Sequence, residues 1–423
     1  MRKIYITGVL IFIFLVQSFT QDTITLDLCY LKAIYNYPLT QQRDLLPASN
    51  DLKIKNLNNN YLPQLIFNGQ IHYQSDVTKV PIQRIPGIDI PTLDKDWYKF
   101  NIDASQLIYD GGTTSKQKAL EDVSLQIDRQ NLELQLFNLK ERINQVYFNV
   151  LLLRESLKTL MLLKENLGGK LSEVESGVKN GVLLSSNADI LKVELINTEQ
   201  SIAEVNIGIE AAIDILNELT GLNINKNTII QLPEPKVNLE VFENNRIEYS
   251  LLLLQQNKIN TIKKVTSTKR LPRISAFGQA GYGRPGYDML KNTFEDYYMI
   301  GARLNWNIWD WNHTKREKEI LDIQNKIINT QKETFDINLE IELENKITGI
   351  RKYEEMIKRD QEIIELRSKI VKSASSQLDN GIITSTEYLT ELNAETQAKF
   401  NLQAHKIRLV NAKLDYLTTL GNL

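Results

Sequence analysis

The sequence contains few cysteines and histidines, the residue types that often form catalytic and metal sites. It contains one cysteine and three histidines among 423 residues. His72, His313 and His405 are far apart along the chain, so their spacing predicts no metal-ligand cluster. The single cysteine, Cys29, excludes an internal disulfide, and we interpret it as an ordinary buried helix residue. We therefore expect a protein that is not an enzyme and needs no cofactor or metal.

The sequence also has almost no excess of positive or negative charge, and it lacks a complete phosphate-binding loop. The formal net charge is −2, which gives no reason to expect a nucleic-acid partner. The segment NLGGKL at 166–171 is similar to a phosphate loop, but it lacks the leading glycine and the serine or threonine after Lys170. We interpret Gly168 and Gly169 instead as a soft point within a long helix.

Long hydrophobic runs are missing beyond the N-terminus. Arg2 and Lys3 precede an apolar run from Ile4 to Val16, which is too short to span a bilayer comfortably. We expect a signal peptide over 1–20, cleaved after Thr20, and hence an exported chain. Such a chain is either soluble or enters a membrane as a β-barrel.

The sequence repeats itself. Leu62–Tyr73 reads LPQLIFNGQIHY, and Leu271–Tyr282 reads LPRISAFGQAGY, at a shift of 271 − 62 = 209. Later paired segments are 200 residues apart, so nine extra residues fall in the Pro-rich stretch Val77–Asp96, as expected of an exposed loop. The pattern predicts two tandem structural repeats, at 21–235 and 236–423.

Two segments in each repeat alternate between apolar and polar residues, which predicts strands at about 62–75, 97–109, 272–283 and 297–309. One face is apolar and includes Tyr98, Phe100, Ile102, Tyr298, Ile300 and Leu304. The other face is polar and includes Asn101, Asp103, Arg303 and Asn305. This alternation fits a barrel wall between lipid and water, but it fits a one-sided soluble sheet equally well. Four strands cannot close a barrel with an interior, so membrane insertion would require several chains to share one.

Heptad spacing predicts long helices at about 113–177, 185–220, 313–378 and 386–420. Leu343, Ile350, Ile357, Ile364, Val371 and Leu378, for example, follow one another every seven residues. Shorter helices are predicted before each strand pair, at about 26–60 and 240–269. The fold class is thus mostly α with a small β part, dominated by long antiparallel coiled-coil helices. An exported, soluble coiled-coil scaffold explains the heptads by itself.

Several segments, taken in order, resemble the TolC family of outer-membrane efflux and secretion channels. These segments are TLDLCYLKAIYNYPL at the start, YLPQL before a strand, QLIYDGG after one, and the paired NGV and NGI turns. The resemblance covers essentially the whole mature chain. It implies a homotrimer in the outer membrane of a Gram-negative bacterium, with a periplasmic extension. Each chain would give four strands to a trimeric β-barrel, which an α-helical barrel continues.

The resemblance also implies partners and a function. The channel would be the passive exit duct of a tripartite efflux system and would receive small molecules from an inner-membrane pump through a periplasmic adaptor. A type I secretion duct for peptides or proteins is the alternative, because a tunnel is shaped to be unselective. The adaptor would dock at the two helix turns, which hold Gly181, Val182 and Leu183, and Gly381, Ile382 and Ile383.

The family's periplasmic aperture maps onto residues just past the two turns. The resemblance places Glu387 and Glu391 there from the second repeat, and Asn187 and Asp189 from the first. Asn187 and Ile383 stand where some members of the family have an acid–arginine latch, so that particular latch is not expected here. A ring of Glu387 carboxylates would attract cations. The alternative is that Glu387 is a solvated acid in the first turn of a helix, where the helix dipole favours it.

Overall fold

The computed structural model describes residues 23–78, 93–239 and 244–422. Its helices are α1 (Leu26–Asn36), α2 (Gln42–Asn58), α3 (Thr113–Lys179), α4 (Ser185–Thr220), α5 (Ile247–Thr268), α6 (His313–Asp379) and α7 (Ser385–Thr419). Its strands are β1 (Thr23–Ile24), β2 (Gln64–Tyr73), β3 (Asp96–Tyr109), β4 (Ile229–Ile230), β5 (Arg273–Arg284) and β6 (Glu295–Asn305). The chain is therefore mostly helical with a small β part and has long helices, as the sequence predicted. The predicted signal peptide and most of the Pro-rich stretch lie outside the described residues.

The chain forms two compact units, and neither is a continuous stretch of sequence. The first unit comprises the described residues of 1–38, 137–244 and 342–423, and the second those of 39–136 and 245–341. Each unit thus draws on both halves of the sequence. The boundaries of the two compact units therefore differ from those of the two predicted sequence repeats.

The helix predicted at about 26–60 is interrupted. Helix α1 begins after Thr25, whose hydroxyl accepts a hydrogen bond from the Leu28 amide at 3.2 Å, and it ends at Asn36. Tyr37 is extended because the ring of Pro38 disfavours helical geometry in the preceding residue. A short 3₁₀ segment, Pro38–Gln41, follows, and then α2. The prediction of one continuous helix was wrong because Pro38 disfavours helical geometry at Tyr37, so the chain leaves the helix there.

The second unit contains a four-stranded antiparallel sheet with the order β2-β3-β5-β6. The registers join Phe67 to Ile102, Ile102 to Ala280, and Ala280 to Tyr298, so these four residues share one face. The predicted last strand ends early, at Asn305. The partner strand β5 begins at Arg273, which pairs with Asn305, and the Trp306 indole N–H donates to the Arg270 carbonyl oxygen at 3.0 Å just beyond this pair.

The two faces of this sheet differ in chemistry. On the apolar face the large side chains are exposed, including 70% of Phe67, 76% of Tyr298 and 81% of Ile300. On the polar face, Asp103 accepts hydrogen bonds from the side-chain amides of Asn68 (2.7 Å), Asn101 (2.7 Å) and Gln279 (2.6 Å), which join three strands. A soluble sheet normally buries its apolar face, whereas this one leaves that face exposed and joins polar side chains to each other on the opposite face.

The first unit buries the predicted helical stripes in local clusters. Its largest cluster surrounds Tyr147, which is fully buried and donates its hydroxyl to the carbonyl of Ile24 at 3.0 Å. Cys29 lies in the same cluster, which confirms its interpretation as a buried helix residue, and burial raises the pKa of its thiol to about 12. A second cluster, the turn cluster, lies where α3, α4, α6 and α7 meet their connecting turns. It contains Leu163, Leu167, Val174, Ala188, Leu191, Ala374, Leu378, Tyr388, Leu389 and Leu392.

None of the helices within residues 23–78, 93–239 and 244–422 is long and apolar enough to cross a membrane.

Candidate functional site at the two helix turns

The first turn connects α3 to α4 and is closed by a left-handed glycine. Gly181 has φ +75°, and its amide donates to the Val178 carbonyl at 3.0 Å. The next amide, of Val182, reaches back to the Gly177 carbonyl at 2.9 Å. This pair of bonds is the Schellman motif, which satisfies the last carbonyls of a helix.

The second turn connects α6 to α7 and repeats this geometry. Gly381 has φ +67°, its amide donates to Leu378 at 2.9 Å, and the Ile382 amide donates to Gln377 at 2.9 Å. The two turns lie side by side within the first unit. A Cβ added at Gly381 would lie 3.7 Å from the Val182 carbonyl oxygen.

The predicted docking residues separate into outward and inward sets. The side chains of Val182 and Ile382 are 61% and 69% exposed. Leu183 and Ile383 are instead partly buried and pack on the turn cluster. Leu183 also covers Gly177, where an added Cβ would approach the leucine side chain to 2.9 Å. Of the six predicted docking residues, only Val182 and Ile382 therefore have mostly exposed side chains, and Leu184 beside them is 73% exposed.

Asn187 is a structural bridge between the two helix starts. It is 8% exposed, and its Oδ1 accepts a hydrogen bond from the Ser385 amide at 2.9 Å. Ser385 is the first residue of α7 and its amide is one of the unsatisfied donors of that helix end. The side chain that sequence reasoning assigned to the aperture is thus occupied within its own chain.

Glu387 closes a capping box at the start of α7. Its Oε2 accepts hydrogen bonds from the Thr384 amide at 2.7 Å and from the Thr384 hydroxyl at 2.9 Å. The Thr384 hydroxyl in turn accepts from the Glu387 amide at 3.3 Å. The backbone hydrogen bond from Thr384, followed by that from its hydroxyl, lowers the pKa of the Glu387 carboxyl. The carboxylate is exposed and charged, and it caps the helix.

The other two predicted aperture acids differ in their surroundings. Glu391 forms an ion pair with Arg367 of α6, with Oε2 and Nη1 2.8 Å apart. Asp189 is exposed on α4; the pKa of the nearby Lys192 is raised mainly by its ion pair with Glu175, and the charge of Asp189 adds a smaller contribution. Of the four predicted residues, Glu387 and Asp189 therefore expose a carboxylate that no cation neutralises at contact distance in the part of the chain described.

Sequence reasoning missed a buried lysine beside the turns. Lys170 is 4% exposed, and its ammonium donates to Asp379 (2.6 Å), Glu173 (2.9 Å) and the Ser375 hydroxyl (2.8 Å). It also lies 5.6 Å from the centre of the Tyr388 ring. Burial alone would lower the pKa of Lys170, but the bonds to Asp379 and Glu173 raise it overall, so the group stays charged. The sequence feature that could have indicated this buried lysine is its position directly before Leu171, within the apolar heptad stripe of α3.

The chemistry of this region is that of a contact surface. Exposed apolar side chains lie at the two helix turns, which the Schellman hydrogen bonds hold in place. The acids Glu387, Asp189 and Glu391 lie nearby. Among the described residues, no group of histidine, cysteine or acidic side chains could hold a metal ion.

The chain was compared with known proteins by sequence and by structure. No protein-family model and no curated protein sequence matches it. Solved structures do match along most of its length. The outer membrane channel CmeC of Campylobacter jejuni is 14% identical, with a TM-score of 0.68, over 94% of this chain and 85% of that one. The outer membrane protein VceC of Vibrio cholerae is 12% identical, with a TM-score of 0.69, over 94% and 96% of the two chains.

A third similar structure is the open state of the MtrE outer membrane channel of Neisseria gonorrhoeae. It is 12% identical, with a TM-score of 0.65, over 94% of this chain and 88% of that one. The chain has the fold of outer membrane channels. For the single chain, the mostly helical fold with long helices that the resemblance to the TolC family implied is thereby confirmed, while the trimer and its barrels stay predictions.

Proposed function

We propose that this chain is a subunit of an outer-membrane channel of the TolC type in a Gram-negative bacterium. Three copies form a twelve-stranded β-barrel, continued by an α-helical barrel in the periplasm. The trimer is the passive exit duct of a tripartite efflux system. It receives small molecules from an inner-membrane pump through a periplasmic adaptor. The observation that carries this proposal is the exposed apolar face of the four-stranded sheet, in a chain with this fold.

The apolar face has the composition of a surface that contacts lipid. Large apolar side chains on β2, β3 and β6 are mostly exposed, whereas a soluble protein rarely exposes a contiguous apolar patch of this kind. The opposite face carries the Asp103 network and fits a water-filled interior. A soluble coiled-coil scaffold would explain the helices, but it would not explain why the apolar face of the sheet is exposed.

The sheet edges support assembly with other copies. In the described residues, β2 and β6 each pair on one side only. Successive strands of the sheet are antiparallel, so β6 of one copy and β2 of the next run in opposite directions, as pairing in a closed barrel requires. Pairing between copies would satisfy both edges, which otherwise expose rows of backbone donors and acceptors.

Exposed apolar residues on α6 support the same assembly. Ile320, Ile327 and Ile341 follow heptad spacing along one side of this helix, and each is at least half exposed. Packing against helices of neighbouring copies would remove these side chains from water. Tryptophans near the ends of the strands fit the same arrangement, because Trp306, Trp309 and Trp311 are exposed just beyond β6, where an aromatic belt would meet the membrane interface.

The two turns fit the adaptor-docking role, with Val182 and Ile382 as the contact residues. Glu387 would then stand near the periplasmic aperture, where three copies would form a ring of carboxylates that attracts cations. Its capping role does not conflict with this one, since the carboxylate remains exposed and charged while it accepts the bonds from Thr384.

The experiment that tests the membrane assignment uses single cysteines on opposite faces of the sheet. Phe67→Cys and Ile300→Cys report on the apolar face, and Ser105→Cys and Asn305→Cys on the polar face. All four side chains are exposed in the chain itself, so only the surrounding lipid can distinguish the two sets. Native Cys29 is buried with a raised pKa and should remain unlabelled.

A membrane-impermeant thiol reagent should label the polar-face cysteines in intact outer membranes and leave the apolar-face cysteines unlabelled. After denaturation, all four should react, which controls for expression. The protein should also leave membranes only in detergent, as a heat-sensitive trimer. Equal labelling of both faces in membranes, or recovery in the soluble fraction, would contradict the proposal.

A further inference from the structure

The polar face of the sheet ends in a concavity at its helical end. This concavity has a volume of about 490 Å³, and β2, β3, β5, β6 and the first turns of α3 contribute to its wall. Its volume lies within the range of small-molecule binding sites. Two arginines line it, Arg273 on β5 and Arg303 on β6.

The two arginines have no carboxylate partner within ion-pair distance in the described part of the chain. On the same sheet, by contrast, Arg284 contacts both Asp94 and Asp96. The register pairs Arg273 with Asn305 and Arg303 with Ser275, so the two arginines occupy diagonally neighbouring positions on one face of the sheet. Like charges at such positions repel each other unless an anion lies between them.

The single acid in the wall of the concavity, Asp110, makes no ion pair with either arginine in the described part of the chain. The carboxylate of Asp110 accepts hydrogen bonds from the Tyr61 hydroxyl (2.9 Å), the Gly112 amide (2.8 Å) and the Thr114 amide (2.6 Å). These bonds hold the carboxylate at the start of α3 without removing its charge. Uncharged polar side chains complete the wall, among them Gln64, Ser105, Gln117 and Ser275.

Arg303 is also held in position. Its guanidinium lies 5.2 Å from the centre of the Phe277 ring, on the same face of the sheet. Stacking of this kind restricts a long side chain and leaves its planar N–H groups free to donate. The first sequence repeat has Gln64 and Asp103 at the positions that match Arg273 and Arg303, so only the second hairpin supplies the positive charge.

We propose that Arg273 and Arg303 form a binding site for anions that carry phosphate or carboxylate groups. Guanidinium groups bind such anions through paired, charge-assisted hydrogen bonds. The consequence for transport rests on the proposed function. In the trimer, three such sites would surround the lumen where the barrel meets the helices, and would concentrate anionic solutes there.

Binding is tested on the full-length protein in detergent, with pyrophosphate as the probe and calorimetric titration as the measurement. The wild type should bind pyrophosphate, and the double variant Arg273→Gln/Arg303→Gln should lose at least about tenfold in affinity, as expected when charged hydrogen bonds are removed. Arg129→Gln, which changes one exposed arginine outside the concavity, is the matched control and should bind like the wild type. Arg303→Lys keeps the charge but not the planar fork, and should give an intermediate affinity.

Bilayer recordings in a salt gradient separate this inference from the proposed function. If the wild type conducts, the double glutamine variant should shift the reversal potential towards cation preference, and Arg129→Gln should not. A wild type that never conducts would contradict the channel but leave pyrophosphate binding as an independent result. Absence of wild-type binding, equal affinity in the double variant, or equal loss in Arg129→Gln would overturn the anion site.

Discussion

The turn after α3 allows a prediction in which one substitution has opposite effects at two positions. Gly181→Ala places an alanine at φ +75°, a left-handed conformation that costs an ordinary residue about 1–2 kcal/mol. A Cβ at this position meets no atom within 4 Å, so the whole cost belongs to the backbone. Gly168→Ala, in the interior of α3, also meets no atom within 4 Å, but alanine is favoured there by about 0.8–1.0 kcal/mol.

The measurement is amide hydrogen exchange of the full-length protein in detergent, followed by mass spectrometry of peptides around each position. Local opening near Gly181→Ala should become about 5–30 times more frequent, since this is the factor that one or two kcal/mol represents. Exchange around Gly168→Ala should slow by a few-fold, about fivefold at most. Shifts in the same direction at both sites, or unchanged protection at 176–185 in Gly181→Ala, would refute the backbone argument.

Three further predictions concern the surroundings of the turns. Val182→Asp or Ile382→Asp should abolish dye export from cells without loss of the trimer on gels, because in the proposed function these exposed side chains contact the adaptor and do not belong to the core. Glu387→Gln should keep the hydrogen bonds of the capping box but lower the cation preference in bilayer recordings, because it removes the charge. Folding lowers the pKa of the Glu387 carboxyl. The carboxylate therefore stabilises the fold fully above the ordinary glutamate pKa, and this stabilisation is lost as the pH falls through the lowered pKa of the folded state. The glutamine variant should lack this pH dependence in thermal unfolding. Asp379→Asn should destabilise the protein by about 1–3 kcal/mol, and more than Lys170→Met, because it leaves a buried ammonium short of a partner whereas methionine removes the buried charge.

Each of these predictions has its own control. Leu45→Asp changes an equally exposed leucine on α2 and should leave export intact; if it also abolishes export, the effect at the tips is not specific. Glu387→Ala removes charge and hydrogen bonds together, so a selectivity shift seen in this variant but absent from Glu387→Gln would assign the effect to the helix cap. If Lys170→Met destabilises the protein as much as Asp379→Asn or more, the burial of the Lys170 charge is not the reason that Asp379 is needed.

Local patterns in the sequence determined most of the secondary structure. Alternation over 64–73 and heptads over 313–379 are properties of neighbouring residues, and each has one compatible backbone conformation. The start of α7 could be predicted because Thr384 and Glu387 stand three residues apart, as a capping box requires. The break before Pro38 was equally local, because a proline disfavours helical geometry in the residue before it, and the prediction of one helix over 26–60 did not take this into account.

The tertiary structure decided which candidate residues are free to act. The sequence places Asn187 and Glu387 at matching positions, yet Asn187 is used up by the amide of Ser385 while Glu387 remains exposed. Lys170 is buried only because α6 brings Asp379 and Ser375 within 2.6 and 2.8 Å of its ammonium. A helical period specifies which residues share a face of their own helix, but the residues that cover that face, such as Ser375 and Asp379 at Lys170, can lie more than two hundred positions away and are fixed only by packing.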